Sequence, residues 1–343
     1  MTNDNSDRKK LVKRLAIIII FIIASILGIN VKDFFPSDSE QGQTSTSILE
    51  WLTEDTKTAS QESVDGSLIV HMIDVGQGDG FLLVQDGRTA LVDCGTASAG
   101  EDIVKYLQDL GISSIDYVFG THPHDDHMGG MYEVITNFDI GKVIIPEINN
   151  VEVTSNWYLK LMKELKDGGY QVEHPEVGTV YDLGEALIKV IGPIQEPTSN
   201  KNNYSIVLKV SFGEMDMIMT GDAEKTVEKD ILEAGEDLEA EILKVGHHGS
   251  DTSTSEEFLE AINPDYALIS AEVGNKYKHP IISVMEELKE RDILVYRTDE
   301  SGTVIVTITA DNISFSCTPG DYLSGTQLKE REEEWKVMLL WKK

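Results

Sequence analysis

Gly120-Thr121-His122-Pro123-His124-Asp125-Asp126-His127-Met128-Gly129-Gly130 packs three imidazoles and two carboxylates into six positions, His122 to His127. The short apolar run Ile115–Phe119 just before it reads as a strand, so the cluster sits on a loop leaving a strand end. Imidazole suits zinc, manganese and iron, while carboxylate suits harder divalent ions. A mixed HxHxDH array can therefore hold two metals in different surroundings, and a structural role rarely requires such a cluster.

The same arrangement recurs downstream. Met217-Ile218-Met219-Thr220-Gly221-Asp222 ends an apolar run in one carboxylate, and Leu243-Lys244-Val245-Gly246-His247-His248-Gly249-Ser250 ends another in two histidines. Six of the eight histidines lie in HxHxDH, HHGS and Tyr277-Lys278-His279-Pro280. Asp222 is also placed to cap a helix over Ala223–Lys229, a role compatible with metal binding.

Short strands are expected at Leu68–Ile73, Gly80–Val84 and Thr89–Val92, joined by the GQGDG and QDGR turns. Later strands fit Lys142–Ile145, Ala186–Ile191, Ser205–Val210, Met215–Met219, Ile242–Val245, Tyr266–Ile269, Leu294–Tyr296, Thr303–Thr309 and Ile313–Cys317. Apolar periodicity places helices at Gly100–Leu110, Met131–Phe138, Trp157–Asp167, Ala223–Ala234, Glu256–Ile262 and Ser283–Arg291. This interleaving predicts two sheets packed face to face and covered by helices.

HxHxDH after a strand, then TGD, then a strand ending in histidine resembles the metallo-β-lactamase fold superfamily, four-layer αββα sandwiches of metal-dependent hydrolases. The closer similarity is to the soluble hydrolase domain of the ComEC competence family. It is carried by IDVGQGDG (Ile73–Gly80), LVDCG (Leu91–Gly95), THPHDDHMGG, NNYSIVLKV (Asn202–Val210), MTGDAE (Met219–Glu224), LKVGHHGS and YKHP…YRTDESGTVIV (Tyr277–Val306). The resemblance implies a first metal on His122 and His124, a second on Asp126 and His127, and Asp222 bridging them. It implies His247 completing the second site, with His248 as its alternate or as a substrate contact, and His279 on the substrate side. Asp126, His248 and His279 are the residues expected in catalysis. Two divalent ions, zinc or manganese, about 3.5–4 Å apart would lower the pKa of a shared water and neutralise charge on a phosphoryl or acyl oxygen. His279 also reads simply as a loop histidine before proline.

One departure stands out. The superfamily has a further metal-binding histidine between the first cluster and the aspartate, but the only histidine there, His174, lies in a proline-containing turn. The expected place falls near Asn202-Asn203-Tyr204-Ser205. An amide oxygen is a harder ligand than imidazole, so the first site should bind zinc less tightly and favour manganese. This argues against a β-lactamase, a glyoxalase or a lactonase. The Gly76–Gly80 turn reads either as a hairpin needing positive φ or as a phosphate-facing loop, with Asp74 or Asp79 holding a ligand histidine through its second nitrogen. Ser250 to Ser255 either offer hydroxyls to phosphate or cap the following helix.

The remaining composition frames this domain. Of 343 residues, 60 are acidic and 29 basic, giving a formal charge of -31, which repels polyanions at long range. Two distant cysteines exclude a disulfide framework; Cys94 reads as a small buried side chain. A basic segment, 1–14, precedes the uncharged run Leu15–Val31, expected to be a single-pass membrane anchor or, alternatively, a cleaved signal. The positive-inside rule then puts the hydrolase domain outside the cytoplasm. Residues 32–66 read as a flexible stalk, 67–317 as the hydrolase domain and 318–343 as a helical tail packed on it or meeting lipid or a partner. The functional expectation is a metal-dependent phosphodiesterase or DNA nuclease without a DNA channel. The alternatives are a phosphoesterase acting on a small or cell-envelope group such as phosphocholine, and a non-catalytic binding module stabilised by metal.

Overall fold

The structure is a computed structural model and describes residues 66–341 apart from Thr198. The basic tail, the expected anchor and the stalk up to residue 65 lie outside the described residues. The single-pass placement is corrected here. Among the described residues no helix is long and apolar enough to cross a membrane, so neither an anchor nor the location derived from it has structural support.

The chain runs β1 (Leu68–Met72), β2 (Phe81–Gln85), β3 (Arg88–Val92), α1 (Gly100–Asp109), β4 (Ser114–Phe119), α2 (Asp125–Met128), α3 (Met131–Asn137), β5 (Asp139–Ile144), α4 (Asn156–Asp167), β6 (Val172–Glu173), β7 (Val180–Leu183) and β8 (Ala186–Gly192). It continues through β9 (Val207–Phe212), β10 (Met215–Met219), α5 (Lys225–Ala234), β11 (Ile242–Lys244), α6 (Glu256–Ile262), β12 (Tyr266–Ile269), α7 (Ile282–Glu290), β13 (Leu294–Arg297), α8 (Thr298–Ser301), β14 (Val304–Ile308), β15 (Ile313–Phe315) and α9 (Gly325–Trp341). One sheet has the order β15-β14-β1-β2-β3-β4-β5-β6 and the other β13-β12-β11-β10-β9-β8-β7.

Side-chain alternation along the strands explains the layering. Phe81 and Leu83 of β2 meet Ile188, Leu208 and Met217 of the opposite sheet in the central core. Their neighbour Leu82 points the other way, into a layer with Ile103, Leu107, Val134 and Leu161 of α1, α3 and α4. On the far side Ile218, Leu243 and Ala267 pack under Val227, Ile231, Phe258 and Met285 of α5, α6 and α7. These are the two sheets between helices that the sequence predicts.

Parallel pairing fixes where the chemistry lies. β3 pairs in parallel with β4, and β10, β11 and β12 run parallel in the other sheet. Loops leaving the carboxyl ends of such strands are where α/β folds bind ligands. HxHxDH, Asp222 and His247-His248 all leave strands of these groups. His174 does not join them; its Nδ1 bonds the Ile145 carbonyl at 2.9 Å.

Candidate metal centre

Each half of the centre comes from a different sheet. β4 ends at Phe119 and delivers His122, His124, Asp126 and His127, the last two on α2. β10 ends at Met219 and delivers Asp222, whose side chain is buried. The helix that follows starts only at Lys225, after Glu224, so Asp222 is not its cap and its carboxylate is free to face the histidines.

The histidine nitrogens and carboxylate oxygens converge. His127 Nε2 stands 3.2 Å from Asp222 Oδ1 and 3.3 Å from His248 Nε2. His122 Nε2 is 3.0 Å from His124 Nδ1 and 3.7 Å from Asp222 Oδ2. His248 Nε2 is 3.6 Å from Asp126 Oδ2, and His247 Nε2 is 3.5 Å from Asp222 Oδ2. Two sets whose ligand atoms lie within 4.8 Å of one another are His122, His127 and Asp222, and Asp126, His127 and His248. Of the adjacent histidines it is thus His248, not His247, that the structure groups with Asp126 and His127. His247 lies at the rim, its Nδ1 against the Thr252 hydroxyl at 3.0 Å and its ring 5.4 Å, centre to centre, from His279.

The backbone of this pair is held in an unusual state. His247 and His248 have φ of 49° and 55°, the left-handed region that costs non-glycine residues conformational energy. The left-handed pair turns both rings toward Asp222.

Outer partners fix the rings. Asp93 Oδ2 accepts from His127 Nδ1 at 2.8 Å and is itself held by the Thr121 amide and hydroxyl, both at 2.8 Å. The Ser270 carbonyl accepts from His248 Nδ1 at 2.9 Å. Each bond puts the proton on Nδ1 and turns Nε2 inward as a lone-pair donor, as metal sites require. Asp93, at the end of β3, was not singled out by the sequence. Its signal was the same carboxylate after an apolar run that marks Asp222. The role proposed for Asp74 or Asp79 falls to Asp93 for His127, while Asp79 Oδ1 lies 3.4 Å from His248 Nδ1. Asp74 instead accepts from the Gly76 amide within its own turn.

The glycine-rich turn has a mechanical role. The Asp79 amide donates to the Asp126 carbonyl at 3.0 Å, and the Ser270 hydroxyl donates to the Gly78 carbonyl at 2.6 Å. At Gly78, with φ of +134°, a Cβ would sit 2.2 Å from the Asp126 carbonyl oxygen. Only glycine lets the two loops meet. Ser255 accepts from the Phe258 amide and caps α6, the helix-cap reading of the serine-rich segment.

Electrostatics favour cations. Burial opposes charge on His127, yet Asp222 and Asp93 outweigh it and raise its pKa well above the usual value. Burial opposes charge on His248 too, and Asp222 and Asp79 overcome it, lifting the pKa to about 9. Burial and the neighbouring His127 push His122 well below its usual value, and burial lowers His124 and His247. The carboxylate cluster thus draws positive charge inward, and without a metal it takes protons. Asp222 Oδ1 and Asn202 Oδ1 are buried without a hydrogen-bond partner. Unpaired acceptors beside inward-facing imidazoles are the donor set of a divalent cation, so the residues present fit the metals that the resemblance implies.

His279 completes the wall of a cleft of about 340 Å³ that Gln77, Asn202, His124, Asp126, Asp222, His247, His248 and Tyr277 also line. Its Nδ1 has no partner, and burial, reinforced by His248 and His247, lowers its pKa to about 4.

The chain belongs to the metallo-β-lactamase superfamily, whose profile, described as Metallo-beta-lactamase superfamily, matches residues 73–272. Among curated proteins it is similar to ComE operon protein 3 of Bacillus subtilis, 32% identical over 253 residues, covering 68% of this chain and 32% of that protein. It is also similar to Recombination protein 2 of Haemophilus influenzae, 31% identical over 249 residues, covering 71% and 29%. A third relative is Competence protein ComA of Neisseria gonorrhoeae, 29% identical over 241 residues, covering 67% and 31%. The chain spans about a third of the length of these relatives.

Proposed function

We propose that this chain is a metal-dependent phosphodiesterase that cleaves DNA by direct attack of water. The observation that carries the reading is the two overlapping donor sets, His122, His127 and Asp222, and Asp126, His127 and His248, which share His127. No serine, threonine or cysteine is among the residues that line this cleft, which supports water rather than a hydroxyl or thiol of those residues as the attacking group. Cations held by His122, His124, Asp126, His127, Asp222 and His248 would supply Lewis acidity and an activated water.

The chain's own residues do the rest. Asp93 and the Ser270 carbonyl keep the ring nitrogens of His127 and His248 aimed inward. His279, neutral at pH 7, orients the substrate by hydrogen bonding rather than as a fixed positive charge. A second cleft of about 410 Å³ shares Gln77, Asp125, Asp126 and Tyr277 with the first, so the opening continues past the reacting centre as an extended strand needs. The names of the relatives, competence and recombination proteins, are those of processes that handle DNA. The formal charge of -31 favours a second reading, a smaller phosphoester that is less strongly repelled.

The test is hydrolysis of labelled single- and double-stranded DNA and of a small phosphodiester by the full chain, with Mn²⁺, Zn²⁺ or no metal, and with Asp126→Ala as control. Metal-dependent DNA cleavage that the substitution abolishes is the expected result. Cleavage of the small diester alone would move the assignment to the second reading, and turnover of neither by folded, metal-loaded protein would end both.

A further inference from the structure

We infer that Asn202 Oδ1 is an oxygen donor of the metal centre and that Glu224 is the residue that turns it there. The inference rests on the metal-dependent reading above but concerns atoms that the reading leaves unassigned. Residues 202 and 203 were equivalent in the sequence; the structure separates them. Asn203 Oδ1 accepts the Glu224 amide at 3.2 Å and is thereby occupied. Asn202, only 7% exposed, lines the cleft beside His124, Asp126 and Asp222, and its Oδ1 is buried with no partner.

Which end of the Asn202 amide faces the cleft follows from chemistry. Its Nδ2 lies 3.0 Å from Glu224 Oε1. A carboxylate only accepts, so the amide nitrogen faces Glu224 and Oδ1 is the end left without a partner in a side chain that lines the cleft. The turn carrying it is fixed on both sides. The Asn202 backbone N–H donates to Asn200 Oδ1 at 3.1 Å, and the hydroxyl of buried Tyr204 donates to the Pro197 carbonyl at 3.0 Å. Ser205 continues the same support, its hydroxyl accepting the Asp222 amide at 3.0 Å and standing 3.2 Å from His122 Nδ1. One short turn therefore holds His122, Asp222 and Asn202 together. A hard amide oxygen here biases the centre toward manganese over zinc.

The experiment is binding of Mn²⁺ to the full chain, with free ion counted by its electron paramagnetic resonance signal, alongside competition with Zn²⁺. Asn202→Ala should weaken one Mn²⁺ by about tenfold or more, and Glu224→Gln, which tolerates either amide orientation, by about tenfold, the loss typical of a ligand's supporting partner. Asn202→Asp in the Glu224→Gln background presents oxygen on both sides and should restore binding. Asn202→His should shift the competition toward Zn²⁺. Unchanged Mn²⁺ binding by Asn202→Ala would show that the oxygen holds only water and would overturn the inference while leaving the hydrolase reading intact. Unchanged binding by Glu224→Gln alone would remove the positioning role. A wild-type chain that binds no metal would instead defeat the metal-dependent reading itself.

Discussion

Lys244 Nζ and Asp79 Oδ2 form an ion pair 2.7 Å long with both side chains almost fully buried, directly behind the metal centre. Asp79 comes from the turn between β1 and β2 in one sheet and Lys244 from β11 in the other. The pair joins the two sheets where the site is built. Burial opposes ionisation of Asp79, but Lys244 and His248 outweigh it and lower its pKa. The Lys244 ammonium also donates to the Val245 carbonyl at 2.9 Å.

Removing one partner of a buried pair strands the other charge. Lys244→Met should cost about 3–5 kcal/mol by urea denaturation, and Lys244→Met with Asp79→Asn together should cost less than Lys244→Met alone. A double variant no more stable than the single one would show that Asp79 is compensated by other groups.

Gly78 is predicted to be intolerant of any side chain. With the carbonyl of Asp126 2.2 Å from where a Cβ would stand, Gly78→Ala must separate the two loops. Activity and metal affinity should each fall by about tenfold or more, as when a supporting partner of a ligand is lost. Gly87→Ala, in an open turn at a positive φ of +77° with no atom within 4 Å of an added Cβ, controls for a positive-φ substitution away from the site and should leave metal affinity unchanged.

Metal removal should make stability depend on alkaline pH. With its pKa raised to about 9, His248 in the metal-free protein contributes stability that is fully present below pH 6.5 and lost as pH rises through about 9. The loss should approach roughly 3 kcal/mol. A bound cation replaces that proton, so the metal-loaded chain should lack this decline. Urea midpoints between pH 6 and 9.5, with chelator and with Mn²⁺, would reveal it.

His71 predicts the opposite slope. It is buried in β1, bonded to the Tyr106 hydroxyl at 2.8 Å, and burial lowers its pKa to about 4. Its contribution is fully present above pH 6.5 and lost as pH falls toward 4. His71→Gln, which cannot take up that proton, should gain about 2–3 kcal/mol relative to wild type between pH 7 and pH 4.5. Parallel denaturation curves at the two pH values would show the crossing or its absence.

The local part of this molecule was legible in the residue order. Apolar runs ending in a ligand gave β4, β10 and β11 and their side chains, because strand length and strand-end chemistry are neighbours in sequence. The two-residue β6 and the half-exposed β7 were missed: one is too short for a pattern, and the other alternates with polar residues after a proline-containing turn. Asp93 and Glu224 were missed as functional residues because their partners lie in other elements. The assignment of His248 rather than His247 to the group with Asp126 depended on two left-handed backbone angles that no spacing rule reports.

The divided origin of the centre has a consequence for assembly. The Thr121–Gly130 loop supplies imidazoles and Asp126, and the opposite sheet supplies Asp222, His248 and Asn202. The groups His122, His127 and Asp222, and Asp126, His127 and His248, each draw ligands from both halves. Tight metal capture therefore waits until the sheets have docked, and the ion then acts as a late clasp, its binding energy adding to the stability of the finished fold and nothing to a chain still half-assembled.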